Sequence, residues 1–246
     1  MTNNKTVLIL GATSDIGIAI AKKFASAKYD VQLAARDATQ IQALKSDIEI
    51  RYEVACSTFS FDALQYASHA AFFEGLTPKP DITVCIFGVM YDEDDALNDF
   101  ALAERMINTN YTGAVSILNI AAKYYMAQKQ GAIIGISSVA GDRGRASKLI
   151  YGSSKAAFTA YLDGLRNKCF KDGVHVMTVK PGFVNTKMTE HMPLPKALTA
   201  EPALLADVLY KAFTKKKNTV YIKWMWRYIM LIIKNIPEFQ FKKMKL

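Results

Sequence analysis

Short apolar runs alternate with stretches of helical period from Thr6 to Ile222, and that alternation most narrows the folds open to this chain. Residues 6–10 form an apolar run ending at Gly11, and residues 16–27 then repeat Ile16, Ile20 and Phe24 on one helix face. The same reading predicts strands at 30–35, 50–55, 82–87, 132–137, 174–180 and 219–222. It predicts helices near 38–48, 63–74, 96–128 (one long, bent helix), 151–170 and 201–213. Strands joined through helices require right-handed crossovers and a parallel sheet buried on both faces. The expected class is therefore α/β: one doubly wound, seven-stranded parallel sheet with helices on both faces, followed by a C-terminal amphipathic helix. Residues 1–222 are expected to form the sheet domain and residues 223–246 a basic, apolar tail.

The net charge of +9 resides in that tail. Residues 1–210 carry 21 Lys or Arg against 21 Asp or Glu, whereas the last 36 residues hold ten basic side chains against Glu238 alone. A neutral domain offers no basic groove, so no nucleic-acid partner is expected. Cys56, Cys85 and Cys169 are widely spaced, and His69, His175 and His191 show no ligand spacing, so neither a disulfide framework nor a metal site is expected. The N-terminus lacks the basic and apolar regions of a secretory signal, which predicts a cytoplasmic protein.

The first turn reads Gly11, Ala12, Thr13, Ser14, Asp15, Ile16, Gly17 and leads into a helix. Glycines there let the backbone approach a pyrophosphate, and the helix start attracts its charge, which makes the sheet Rossmann-type. The alternative is an ordinary turn capped by Ser14 or Asp15. The second strand ends at Arg36, with no acid before Asp37. A guanidinium at that place suits a ribose 2′-phosphate, so NADP(H) is expected, unless Arg36 is a solvated residue beginning a helix.

Tyr151 and Lys155 are four apart and share a helix face, an arrangement in which an ammonium would draw the phenol pKa down. Ser138, at the end of a strand, could hold a carbonyl oxygen. Ser138 followed thirteen positions later by Tyr-x-x-x-Lys resembles the short-chain dehydrogenase/reductase family. Asn110 in Asn110-Tyr111-Thr112-Gly113 matches that family's Asn-x-x-Gly, and Pro181, Gly182, Val184 and Thr186 match its Pro-Gly motif. The resemblance, over about residues 5–222, implies a reductase in which Ser138, Tyr151, Lys155 and Asn110 are catalytic. It implies that Gly11, Thr13, Ser14, Asp15, Ile16, Gly17, Arg36, Phe87, Gly88, Asn110, Tyr151, Lys155, Pro181, Gly182, Val184 and Thr186 bind the cofactor. Two positions depart from the pattern: Asp15 replaces a glycine and should weaken cofactor binding unless it turns away, and Ile86-Phe87-Gly88 replaces Asn-Asn-Ala-Gly.

Within the family, several segments, Phe61-Asp62-Ala63-Leu64 and Arg227-Tyr228-Ile229-Met230 among them, resemble reductases of 2-keto sugars carried on polyprenyl phosphate. That likeness implies a lipid-linked ketone substrate in cell-envelope polysaccharide synthesis and a flavin-dependent oxidase partner. The alternatives are another lipid ketone (3-oxoacyl, sterol or sphingoid) or a non-catalytic NADP(H)-binding sensor. In the tail, Lys223, Arg227 and Lys234 fall on one stripe among tryptophans and aliphatics. This is read either as a helix in the interface of an anionic membrane, making the protein peripheral on the cytoplasmic face, or as a helix packed on the core or on a partner subunit. A homo-oligomer is the expected assembly. Arg143 and Arg145 are read as partners for a substrate phosphate or as solvated loop charges. Residues 92–95 are read as a solvated acidic loop at a helix start, and Met188, His191, Met192, Pro193, Leu194 and Pro195 as a mobile lid.

Overall fold

The computed structural model describes residues 4–190 and 193–244. Its main sheet is the expected one: seven parallel strands, β1 (Thr6–Leu10), β2 (Asp30–Ala35), β3 (Cys56–Ser60), β4 (Ile82–Cys85), β5 (Ala132–Ile136), β6 (His175–Pro181) and β9 (Thr219–Ile222), in the order β3-β2-β1-β4-β5-β6-β9. A second sheet, absent from the sequence reading, pairs two-residue strands β7 (Phe183–Val184) and β8 (Thr199–Ala200) in parallel.

Alternate residues of each strand point to opposite faces, and both faces are buried. Val7 and Ile9 enter one core with Ile20 and Phe24 of α1 (Asp15–Ser26) and Leu205 and Leu209 of α8 (Pro202–Thr214). Leu8 and Leu10 enter the other with Ile117 and Tyr125 of α6 (Ala114–Gln128) and Phe158 and Leu162 of α7 (Leu149–Cys169). Strand order reverses between β1 and β4, and the crevice beyond their carboxyl ends is where such sheets hold ligands.

Three predicted elements are corrected. The strand expected at 50–55 does not form: α2 (Gln42–Tyr52) continues through it, with Ile48 buried and Ile50 facing solvent, and stops at Glu53 in the left-handed conformation (φ 55°). The strand follows at Cys56–Ser60, an edge strand paired only with β2, where serine and threonine suffice. The long helix expected at 96–128 is three helices. Asp99 is extended between α4 (Glu93–Asn98) and α5 (Phe100–Ile107) and caps the latter by accepting from Ala101 N. A π-helical turn, Asn108–Gly113, then leads into α6 and carries Asn110, in keeping with the concentration of such turns at functional sites. The helix between β3 and β4 is likewise shorter than expected, α3 (His69–Gly75).

Candidate active site

A cavity of about 260 Å³ lies at the switch point, lined by Gly11, Thr13–Ile16, Arg36, Phe87, Gly88 and Thr186. The turn that borders it admits no side chain at two glycines, of which Gly11 lines the cavity and Gly17 does not. Gly11 has φ +100°, and a Cβ there would stand 2.7 Å from Phe87 N; a Cβ on Gly17 would stand 2.4 Å from the Gly11 carbonyl. The start of α1 therefore closes directly against the end of β1. Ser14 is spent on this closure: its hydroxyl donates to the Gly11 carbonyl at 2.9 Å and accepts from Gly17 N at 3.0 Å, as the capped-turn alternative required. The amides of Asp15 and Ile16 belong to the first turn, which has no intrahelical acceptors and suits an anion.

Asp15 lines the cavity and does not cap the helix. Its carboxylate accepts from Lys187 N at 2.9 Å and so holds the chain just after Thr186 against the phosphate turn. Arg36 is exposed at the opposite end of the cavity. Asp37 beside it accepts from Thr39 N at 2.9 Å and from the Thr39 hydroxyl at 2.6 Å, and these bonds hold its carboxyl below the usual range.

The cavity ends at Gly88 and Val89, next to Asn110 and Lys155, two of the four residues expected to be catalytic. A Cβ on Gly88 would stand 3.0 Å from Asn110 Oδ1 and 3.3 Å from Lys155 Nζ. Asn110 is buried; its Oδ1 accepts from Val89 N at 2.8 Å, and its Nδ2 donates to the Val89 carbonyl at 2.9 Å and to Ser154 Oγ at 3.1 Å. It therefore braces the chain leaving β4 against α7. Ser138 is nearly buried at the end of β5 and its Oγ accepts from Ala140 N, while Ser137 beside it donates to the Lys155 carbonyl. The chain leaving β4 and the chain leaving β5 are thus both tied to α7.

Lys155 Nζ lies 5.9 Å from the Tyr151 ring centre and donates to the Ile136 carbonyl at 3.1 Å. The electrostatics differ from the expectation of a depressed phenol pKa. Burial pushes Tyr151 up to about 12, opposed only by the Ser138 hydroxyl, and burial pushes Lys155 down to about 8. Burial sets the direction of both shifts, and the Lys155 ammonium is directed at the Ile136 carbonyl.

Sequence reasoning missed Glu93. It belongs to the run read as a solvated acidic loop, and Asp92 does cap α4 by accepting from Asp94 N and Asp95 N. Glu93 is instead buried, and its carboxylate accepts from Ile150 N at 2.8 Å and Tyr151 N at 3.2 Å. No side chain of the α7 segment itself caps that helix, so the cap comes from a residue far away in sequence and leaves no local signal. Arg143 is a second correction, being neither solvated nor free for a substrate. It donates to the carbonyls of Ile233 and Ile236 at 2.6 Å each and pairs with Glu238 at 3.0 Å. Among the other expected cofactor contacts, Thr186 lines the cavity, whereas Pro181, Gly182 and Val184 are absent from its lining. Met188 lines it as well; His191 and Met192 of the expected lid lie outside the described residues.

A cleft at the switch point that begins at Gly11 and ends at Gly88, beside Asn110 and Lys155, suits a dinucleotide-dependent oxidoreductase. The chain belongs to the short-chain dehydrogenase family, whose model matches residues 5–196. An uncharacterized oxidoreductase of Mycobacterium tuberculosis is 31% identical over 99% of this chain and 98% of its own length. An NADP-dependent 3-hydroxy acid dehydrogenase of Schizosaccharomyces pombe is 29% identical over 89% of this chain and 90% of its own. Among solved structures, a short-chain dehydrogenase from Sphingobium yanoikuyae in complex with NADPH superposes with a TM-score of 0.82 at 23% identity, covering 95% of this chain and 97% of that one.

Proposed function

We propose that this protein is an NADP(H)-dependent reductase of a ketone, with Tyr151 as proton donor. The observation that carries the reading is the convergence of Lys155 and Asn110 on Gly88, where the cavity meets α7. Bound NADPH supplies the hydride to the ketone carbon. Ser138 orients the carbonyl oxygen, and Tyr151, which burial keeps protonated at neutral pH, gives that oxygen its proton. Lys155 holds the nicotinamide ribose and Asn110 anchors proton resupply. Gly11 and Gly17 admit the pyrophosphate, and Arg36 takes the 2′-phosphate. Asp37 is engaged by Thr39 and is therefore a poor partner for the ribose hydroxyl of NAD, which favours NADP(H). Tyr151→Phe is expected to abolish ketone-dependent NADPH oxidation while NADPH binding, followed by fluorescence, stays nearly intact; retained turnover removes Tyr151 from this role.

The substrate reading is a keto sugar on a polyprenyl phosphate, as for decaprenylphosphoryl-2-keto-ribose reductase of bacterial cell-wall arabinan synthesis, with a flavin-dependent oxidase supplying the ketone. Support comes from Arg145, whose Nε is buried with no hydrogen-bond partner among the described residues, leaving a cation for a substrate phosphate between Ser138 and Tyr151. In this reading the enzyme is a homo-oligomer in the cytoplasm, peripheral on the membrane through its tail. No helix among the described residues is long and apolar enough to cross a membrane. The Schizosaccharomyces relative favours a second substrate class, 3-oxo acids. Turnover of a polyprenyl-phosphate keto sugar but not of 3-oxo acids decides for the first, and the reverse decides for the second.

A further inference from the structure

The C-terminal tail, α9 (Met225–Asn235) and α10 (Glu238–Phe241), has two faces of different chemistry. On the inner face Trp226 and Met230 are buried with Val139 and packed by Phe183 and Tyr221. Trp226 Nε1 donates to the Leu198 carbonyl at 3.1 Å, and its indole lies so close to Gly182 that a Cβ there would come within 2.0 Å. Arg143, from the stretch between Ser138 and Tyr151, stacks 3.6 Å over the Phe241 ring in addition to its bonds to the end of α9 and to Glu238. Two segments, the turn after β6 and the stretch from Ser138 to Tyr151, are therefore fastened to this tail.

Among the described residues the outer face is unpartnered. Trp224, Tyr228, Leu231 and Ile232 follow the spacing of one helix stripe and are 56–72% exposed. Arg227 and Lys234 run beside them and Lys242 and Lys243 follow, all exposed, while Glu238, the tail's one acid, is taken by Arg143. Aromatic and aliphatic side chains beside uncompensated cations match an anionic lipid surface. A second copy of the chain would set the same cations against each other.

We infer that this outer face seats on an anionic bilayer and that seating tightens these two segments through Trp226 and Arg143, so that the lipid surface is an activator of the reductase. The inference rests on the reductase reading. Full-length protein would be sedimented with phosphatidylcholine vesicles with and without phosphatidylglycerol. NADPH oxidation with a water-soluble ketone and hydrogen exchange of residues 138–151 would be followed in the same mixtures. Binding to the anionic vesicles only, a several-fold rise in kcat/KM and slower exchange in 138–151 are expected. Ile232→Glu should lose vesicle binding and the rise while keeping its activity in buffer, and Arg143→Ala should bind vesicles without the rise. Failure to bind, or binding with unchanged exchange and kcat/KM, overturns the proposal, as does a dimer in buffer that Ile232→Glu splits. Absence of turnover with every ketone would instead sink the reductase reading, and the binding and exchange measurements would still decide the lipid one.

Discussion

Arg36 illustrates how much one side chain decides. Its guanidinium has no side-chain partner among the described residues, whereas the carboxylate next to it is tied into a turn. A charge-assisted bond to a phosphate contributes about 1.5–3 kcal/mol. Arg36→Ala is therefore expected to weaken NADPH about tenfold or more in a titration and to leave NADH nearly unchanged. Equal losses for both cofactors would contradict the assignment. The placement of Ser138, Tyr151 and Lys155 was legible in the sequence because their spacing is fixed by one strand end and one helix. Their protonation was not, since it depends on how deeply the surrounding chain buries them. Glu93 and Arg143 were illegible for a related reason: their partners stand 57 and 90 or more residues away.

Among the elements, α7 depends on a neighbour for its own beginning. The buried Glu93 carboxylate satisfies two first-turn amides of α7, one of them that of Tyr151. Leaving buried donors unsatisfied costs about 1–3 kcal/mol each, so Glu93→Ala should lower the unfolding midpoint. It should also reduce kcat more than it weakens NADPH, because the first turn of α7, which carries Tyr151, loses its anchor while the phosphate turn is untouched. Glu93→Gln, which keeps one acceptor oxygen, should recover part of both; an alanine variant with wild-type kcat would exclude a positioning role. Periodicity placed strands with buried faces well and the edge strand β3 badly, because Ser57, Thr58 and Ser60 offer little apolar signal while Ile48, Ile50 and Val54 mimic a strand. The break at Asp99 was hidden by apolar residues that continue helical spacing on both sides of it.

For the whole molecule, contacts between distant segments set the shape of the cleft. Gly182 touches the Trp226 indole so closely that Gly182→Ala forces a rearrangement, with an expected cost of about 1–3 kcal/mol in chemical unfolding. Trimming the indole with Trp226→Leu should recover part of that loss in a double-mutant cycle, and strict additivity would show that the two do not couple. The bond from Asp15 to the amide of Lys187 joins residues 172 positions apart, the opening turn of the sheet to the loop that follows β7. The nucleotide-binding half is therefore not an interchangeable cassette. A chimera that took its opening strand and turn from a family member with glycine at this place would leave the Lys187 amide without its acceptor. Breeding or recombining such enzymes would have to carry both segments together.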